Sequence, residues 1–282
     1  EKMINKSYIR KAKKKLQAYP HLIKIGITGS YGKTSVKNAL ATILAEKYSV
    51  CKTPLNYNTP MGITRTVLEN LMPFNQVLIA EMGARQQGDI KELCDIINPQ
   101  YGIITSIGEQ HMATFGSFEN VKRTKAELSN FLKPEDYCVF NFDNEAVKEI
   151  SSQAKCKKVF VSQKDNSVDV YVSDVKTTEN GTKFVLNFGD NHIECKTKLL
   201  GTHNITNIIL CVPIALKLGL TLSQIVEGIK KIQPTQHRLE LISSPNNVLI
   251  LDDTYNASIE GSKSALEVLN MFKGRRKIVI TP

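Results

Sequence analysis

The segment Thr28-Gly29-Ser30-Tyr31-Gly32-Lys33-Thr34-Ser35 sets a lysine and two hydroxyls directly behind a pair of glycines. Small residues leave backbone N–H groups free to face a polyphosphate, and a helix N-terminus adds donors and a favourable dipole. In such a loop Lys33 neutralises charge on the β- and γ-phosphates, and Thr34 offers its hydroxyl to Mg²⁺. The strict pattern G-x-x-x-x-G-K-[ST] is not met, because Ile27 occupies its first glycine position and Gly29 comes two residues later. Taken alone, the loop suits a ligase, a GTPase, a kinase or a motor.

Other residues could join it. Glu81 closes the apolar run 76–81 (QVLIAE). A carboxylate at the C-terminal end of a parallel strand opens into the ligand crevice, where a hard cation needs oxygen ligands; the competing reading is an acid facing solvent. His111 follows another apolar run and reads, by itself, as a structural hydrogen bonder. Lys125, in Arg123-Thr124-Lys125-Ala126-Glu127, reads as a solvated lysine on a helix, and Asn56-Tyr57-Asn58-Thr59-Pro60-Met61-Gly62 as a polar turn.

The elements that must position these residues follow from periodicity. The run 23–28 (IKIGIT), the glycine turn and the helical spacing of Val36, Ala39, Leu40, Ile43 and Leu44 give strand, turn and helix. Further buried strands are expected at 76–81, 101–107, 137–142 and 158–162, with helices at 88–97 and 119–132. This alternation predicts an α/β fold with a doubly wound, mainly parallel sheet. Over 168–199 the alternating runs VDVYVSDV and TKFVLNF flank Glu179-Asn180-Gly181, a hairpin signal, and HIECKTKL adds a third strand of a small antiparallel subdomain. Helices follow at 205–218 and 222–232, then a linker at 233–237. A strand at 248–252, a helix at 261–272 and a strand at 277–281 open a second α/β unit. The expected division is a basic helical segment 1–20, a central domain 21–236 and the beginning of another domain at 237–282.

Composition narrows the class. With 41% hydrophobic and 23% charged residues, the chain is globular rather than disordered. No apolar run approaches the roughly 20 residues that cross a bilayer, and no signal-peptide pattern is evident. Six scattered cysteines without a C-x-x-C pair argue against a zinc site or a disulfide scaffold and suit a reducing cytoplasm. The net charge of +10 is concentrated in Lys2, Lys6, Arg10, Lys11, Lys13, Lys14 and Lys15. That segment reads as a solvated helix, with peripheral contact to an anionic membrane as the alternative. No aromatic RNA-binding signature accompanies it, so nucleic acid is not expected as a partner. The chain starts at Glu1 and stops at Pro282 straight after an apolar run, which reads as a piece of a longer protein.

The departure from the strict loop is informative, since T-G-x-x-G-K-T-[ST] resembles the variant of the Mur ligases and their folylpolyglutamate synthetase relatives. From about residue 20 onward the chain is similar to that family in order, most of all to its D-Ala-D-Ala-adding members. The 56–62 turn resembles GN-x-NN-x-x-G, with Leu55 and Thr59 departing from it, and implies that Asn56 and Asn58 contact substrate. Glu81-Met82-Gly83-Ala84 resembles E-x-G-A, whose glutamate ligates Mg²⁺, and Gly88-Asp89-Ile90 continues the match. The resemblance gives His111, at the end of Thr105–His111, to a second metal, and Lys125 to a carbamate that ligates it. An ammonium cannot bind Mg²⁺, whereas its CO₂ adduct can, and forming that adduct needs the neutral amine.

Gly201-Thr202-His203-Asn204-Ile205-Thr206-Asn207 resembles G-x-H-N-x-x-N, which puts Asn204 and Asn207 beside adenine. His237-Arg238 and Asp252-Asp253-Thr254-Tyr255-Asn256-Ala257 resemble the hinge and the D-D-[ST]-Y-N-A-N-P signature, with Ser258-Ile259 departing from it. Arg238 would then reach the γ-phosphate and Asp253 the ribose or the hinge. The nucleotide set implied is Thr28, Gly29, Ser30, Gly32, Lys33, Thr34, Ser35, Asn204, Asn207, Arg238 and Asp253; the metal set is Thr34, Glu81, His111 and carbamylated Lys125, around two Mg²⁺. Lys33, Lys125, His111 and Arg238 carry the catalysis. The activity implied is ATP-dependent amide ligation by a cytoplasmic monomer acting on a UDP-muramoyl peptide and a dipeptide in peptidoglycan synthesis. The rivals are a folylpolyglutamate-synthetase-like ligase, a nucleotide-binding module without ligation, and a nucleic-acid-dependent ATPase.

Overall fold

The computed structural model describes residues 2–244, 248–254 and 259–281. Tyr255, Asn256 and Ala257, part of the signature beginning at Asp252, lie outside them. Six strands run parallel: the expected β1 (Ile23–Thr28), β3 (Val77–Glu81), β4 (Tyr101–Ile104), β5 (Tyr137–Asn141) and β6 (Lys157–Ser162), and a short β2 (Val50–Lys52) that the sequence pattern did not disclose. Three more, β7 (Val170–Thr178), β8 (Gly181–Phe188) and β9 (Asn191–Thr197), complete one nine-stranded sheet in the order β2-β3-β1-β4-β5-β6-β7-β8-β9. The antiparallel portion is thus a continuation of the main sheet, joined by the short parallel pairing Val161↔Val170 and Ser162↔Tyr171. Its hairpin turns at Glu179-Asn180, with Thr178 facing Gly181, whose φ of 111° suits glycine.

Helices cover both faces. On the first lie α1 (Lys2–Gln17), α3 (Pro60–Arg65), a π-helical turn (Thr66–Asn70), α4 (Asp89–Ile97), α5 (Met112–Phe115), α6 (Phe118–Phe131) and α7 (Glu145–Ser151). On the second lie α2 (Lys33–Leu44), α8 (Thr202–Ile209), α9 (Val212–Lys217) and α10 (Leu222–Lys231). The period of two along each strand feeds both cores: Ile25, Ile27, Val77 and Ile79 face the second set, Leu78, Ala80, Cys138 and Phe140 the first.

Three sequence expectations change. The helix expected at 205–218 is two, because Pro213 has no N–H to carry a ladder through Leu210-Cys211. The linker leads directly into a strand that the pattern did not disclose, β10 (Glu240–Ser243), which pairs antiparallel with β11 (Leu249–Asp252) and precedes α11 (Ile259–Met271). The strand expected at 277–281 does not form among the described residues; Ile278, Val279 and Ile280 are exposed and join no ladder, and apolar β-branched residues alone do not make a strand.

The basic helix is also more than solvated. Ala12 and Leu16 are buried against the first core, and Lys15 donates to the carbonyls of Leu68 (3.1 Å) and Leu71 (2.7 Å) at the end of the π-helical turn. These carbonyls lack helical partners, so the lysine caps that turn. Leu16→Ala is expected to lower unfolding stability by about 2–4 kcal/mol, while Lys14→Ala, on the exposed face, changes it by less than about 0.5 kcal/mol. Equal midpoints for the two variants in urea would show that α1 does not belong to the folded unit.

Candidate functional site

The phosphate loop follows β1 and opens α2, as the glycine spacing implies, and it is braced from the neighbouring strand. Ser30 N donates to Ser106 O (2.6 Å), the Ser30 hydroxyl donates to Gly108 O (3.0 Å), and Gly108 N donates back to that hydroxyl (3.1 Å). This explains why β4 stops at Ile104 rather than running to 107: residues 105–108 hold the loop instead of extending the ladder. Gly32 sits at φ 81°, and a Cβ there would lie 2.6 Å from Asn207 Oδ1, so the loop and α8 close on each other at a point only glycine allows.

A cleft of about 600 Å³ opens at the C-terminal ends of the parallel strands. Ser30, Gly32, Lys33, Thr34, Ser35, Asn56, Asn58, Glu81, His111, Asn204, Asn207, Arg238 and Asp253 all line it. Three residues of the expected set do not. The Thr28 hydroxyl is buried and donates to Met82 O (3.2 Å), so it ties β1 to the end of β3. Gly29 packs beneath the loop against Thr105. Lys125, on α6, is only 3% exposed. The solvated reading of Lys125 is therefore overturned: it sits on the face of α6 turned toward the sheet, near Phe115 and within reach of the Lys33 charge.

Glu81 is the centre of the polar contacts. It is 2% exposed at the end of β3. Its Oε2 accepts from the Thr34 hydroxyl (3.0 Å) and from Lys37 Nζ (3.0 Å), and its Oε1 accepts from Asn58 Nδ2 (3.2 Å). Two hard oxygen donors, Glu81 and Thr34, therefore meet beside the loop, which suits Mg²⁺. Among the described residues no three His, Cys, Asp or Glu side chains converge. Mg²⁺ is ordinarily held by one or two carboxylates with phosphates and water completing the shell, so the residues present fit that ion. His111 is exposed at the N-terminus of α5 with φ 55°.

Burial shapes the basic groups. Desolvation pushes Lys33 down to about 8, with nearby Arg238 adding to the fall and Glu81 opposing it; its ammonium meanwhile donates to Gly29 O (2.8 Å) and Ser30 O (3.0 Å). Desolvation pushes Lys125 down to about 7, helped by the Lys33 charge. His111 is lowered by desolvation and by Arg85, Lys125 and Lys33. Asp253 is raised by desolvation while its carboxylate accepts from Leu239 N (3.1 Å), and Asp252 is lowered by its bonds from His237 (2.8 Å) and Thr254.

Two residues, one behind the cleft and one lining it, escaped the sequence reading. Lys37 reads as a helix lysine but is 1% exposed against Glu81. Its signal was its place on the apolar face, one turn after Lys33 and next to Val36. His203 lines the cleft with its Nδ1 buried and without a hydrogen bond, and burial pushes it down to about 4. The sequence comparison passed over it in favour of the flanking Asn204, whose Nδ2 is used on Leu200 O (2.8 Å).

A lysine whose folded pKa lies below its ordinary value of 10.5 weakens folding while charged, and stability rises as pH climbs from the folded toward the unfolded value. In CO₂-free buffer the chain is expected to gain stability from about pH 7 upward, and Lys125→Met to lose the earliest part of that rise. Urea midpoints across the range measure it; parallel profiles would mean that Lys125 is hydrated.

The Mur ligase middle domain family matches residues 27–215. The UDP-N-acetylmuramoyl-tripeptide–D-alanyl-D-alanine ligases of Mycobacterium bovis and Bacillus subtilis are 33% and 32% identical to it, covering 87% and 90% of this chain but 48% and 54% of their own. The chain therefore spans about half the length of the curated relatives it matches. Among solved structures, MurF from Acinetobacter baumannii superposes with a TM-score of 0.88 at 27% identity, over 95% of this chain and 58% of that one. The MurF ligase of Thermotoga maritima in complex with ADP gives 0.87 at 27% identity, over 96% and 62%. The family match runs from β1 through the phosphate loop and Glu81 into α9, and on that ground this chain belongs to the Mur ligase family.

Proposed function

We propose that the chain is the nucleotide-binding core of an ATP-dependent amide ligase, and that the whole protein adds D-Ala-D-Ala to UDP-N-acetylmuramoyl-tripeptide. The observation that carries the reading is the convergence of Lys33, Thr34, Glu81 and Arg238 on one cleft at the strand ends. The similarity to ligases named for that substrate pair supports the choice of substrates. Residues 21–236 form the ATP-binding unit in this reading, and 237–282 begin the unit that meets the amino substrate.

A carboxylate carries no leaving group, so it must first be activated. Transfer of the γ-phosphoryl group of ATP to the carboxylate gives an acyl phosphate, and the incoming amine displaces phosphate through a tetrahedral intermediate. Lys33, released from its loop carbonyls, takes the β- and γ-phosphate charge, and Arg238 takes the charge that gathers on the transferred group. Asn56 and Asn58 position the carboxylate substrate, Asn204 and Asn207 the base, and Asp253 the ribose or the hinge. Glu81 and Thr34 would hold one Mg²⁺ beside the loop, and His111 with carbamylated Lys125 a second; the two ions would supply charge neutralisation when bound. The buried, easily deprotonated amine of Lys125 favours CO₂ addition. Six free, buried cysteines and no helix long and apolar enough to cross a membrane among the described residues accord with a cytoplasmic site of action.

The full-length protein, given ATP, Mg²⁺, the tripeptide substrate and D-Ala-D-Ala, is expected to release phosphate and form the pentapeptide product together. Lys33→Met should lower both by about a hundredfold or more. Lys125→Ala should also lose both, with partial recovery on adding short carboxylates. Phosphate release without a ligated product would overturn the ligase assignment while keeping the ATPase; neither activity with any substrate pair would overturn both.

A further inference from the structure

Lys37 stands out from every other lysine described. Its side chain is 1% exposed, and it forms an ion pair of 3.0 Å with a carboxylate that is itself 3% exposed. Withdrawing two charges from water is expensive, and a well-packed apolar pair in the same space is often at least as stable. Fold stability alone therefore gives no reason for this pair.

Its geometry supplies one. Lys37 is one turn beyond Lys33 on α2, so the helix that presents the phosphate-loop lysine also presents a second ammonium below it. That ammonium takes the same Glu81 oxygen, Oε2, that the Thr34 hydroxyl bonds. It also donates to the carbonyl of Leu55, which sits at φ 41° in the loop carrying Asn56 and Asn58. Asn58 closes the circuit by donating to Oε1 of Glu81 (3.2 Å). Both oxygens of Glu81 thus accept from protein donors, and the one that meets the Thr34 hydroxyl already lies beside a positive charge.

We infer that Lys37 is a positioning residue: the resident countercharge of Glu81, holding the carboxylate aimed at the phosphate loop and competing with the divalent cation for it. The inference rests on the nucleotide-site reading proposed above. Without Lys37, a buried carboxylate would be left bonded only to neutral donors. A cation would then gain more by binding, because it would relieve an uncompensated charge rather than displace a partner.

The test combines unfolding with cation titration on the purified protein: wild type, Lys37→Met, Glu81→Gln and the double variant, each with and without Mg²⁺ at saturating ADP. Lys37→Met is expected to melt lower than wild type without Mg²⁺, to gain more in Tm from Mg²⁺–ADP, and to half-saturate at about tenfold less Mg²⁺. The double variant should be more stable than Glu81→Gln alone, a comparison that still tests the countercharge if Lys37→Met does not fold; a double variant no more stable overturns the inference. A merely structural lysine would lower Tm without changing the Mg²⁺ dependence, and that result, or additive losses in the two single variants, overturns the inference. If wild type responds to ADP and Mg²⁺ normally in those cases, the nucleotide reading survives. If wild type shows no response to either, that reading falls, and the inference with it.

Discussion

A carboxylate withdrawn from water at the end of a parallel strand must be met by donors, and the placement of Glu81 imposes that requirement on everything around it. Sheet order puts β3 beside β1, so the acid emerges next to the strand that feeds the phosphate loop. Thr34 and Lys37 come from the first turns of α2, and Asn58 from the loop after β2. Three separate stretches of chain are therefore fixed relative to one another by one side chain. Any ligand that engages the loop meets an acid whose direction is already set, which is the preorganisation that phosphoryl transfer requires.

The second property of the cleft is an excess of positive charge in poor contact with water. Lys33 and Arg238 line it, Lys37 pairs with Glu81, and Lys125 is near enough to feel the Lys33 charge; desolvation lowers both Lys33 and Lys125. Such a region repels further cations and welcomes a polyanion, whose phosphates would replace the missing hydration. The same burial that weakens the ammonium form of Lys125 makes its amine nucleophilic. Desolvation, of Lys33 at the head of α2 and of Lys125 on α6, thus serves both binding and the proposed modification.

Arg238 and Asp253 reach this cleft from outside the main sheet. They flank the β10–β11 hairpin, whose Leu241 and Leu251 pack on the small cluster formed by Leu239, Val268 of α11 and Leu200 in the segment after β9. Leu239, at φ 47°, is anchored by the bond from its N–H to Asp253, and His237 by its bond to Asp252. The positions of these two cleft-lining side chains depend on this hairpin rather than on the nine-stranded core. A hinge placed there would move Arg238 and Asp253 together while leaving Lys33 and Glu81 undisturbed.

What the sequence determined by itself was local. The phosphate loop, the strand–helix alternation and the Glu179-Asn180-Gly181 hairpin rest on residues a few positions apart, so periodicity and turn chemistry expose them. Family resemblance extended this to Glu81, His111 and Arg238. The tertiary structure decided what depends on faces and partners. A lysine on a helix looks solvated whether it is Lys122, paired with Glu149 near the surface, or Lys125 and Lys37, both turned toward the sheet. The single helix written into 205–218 divides at Pro213, and 277–281 stays outside any ladder despite its β-branched residues. Burial is a property of the assembled chain. Which of several chemically identical ammonium groups loses its water, and so acquires an altered pKa or a buried partner, is settled only when sheet, helix and loop close upon it.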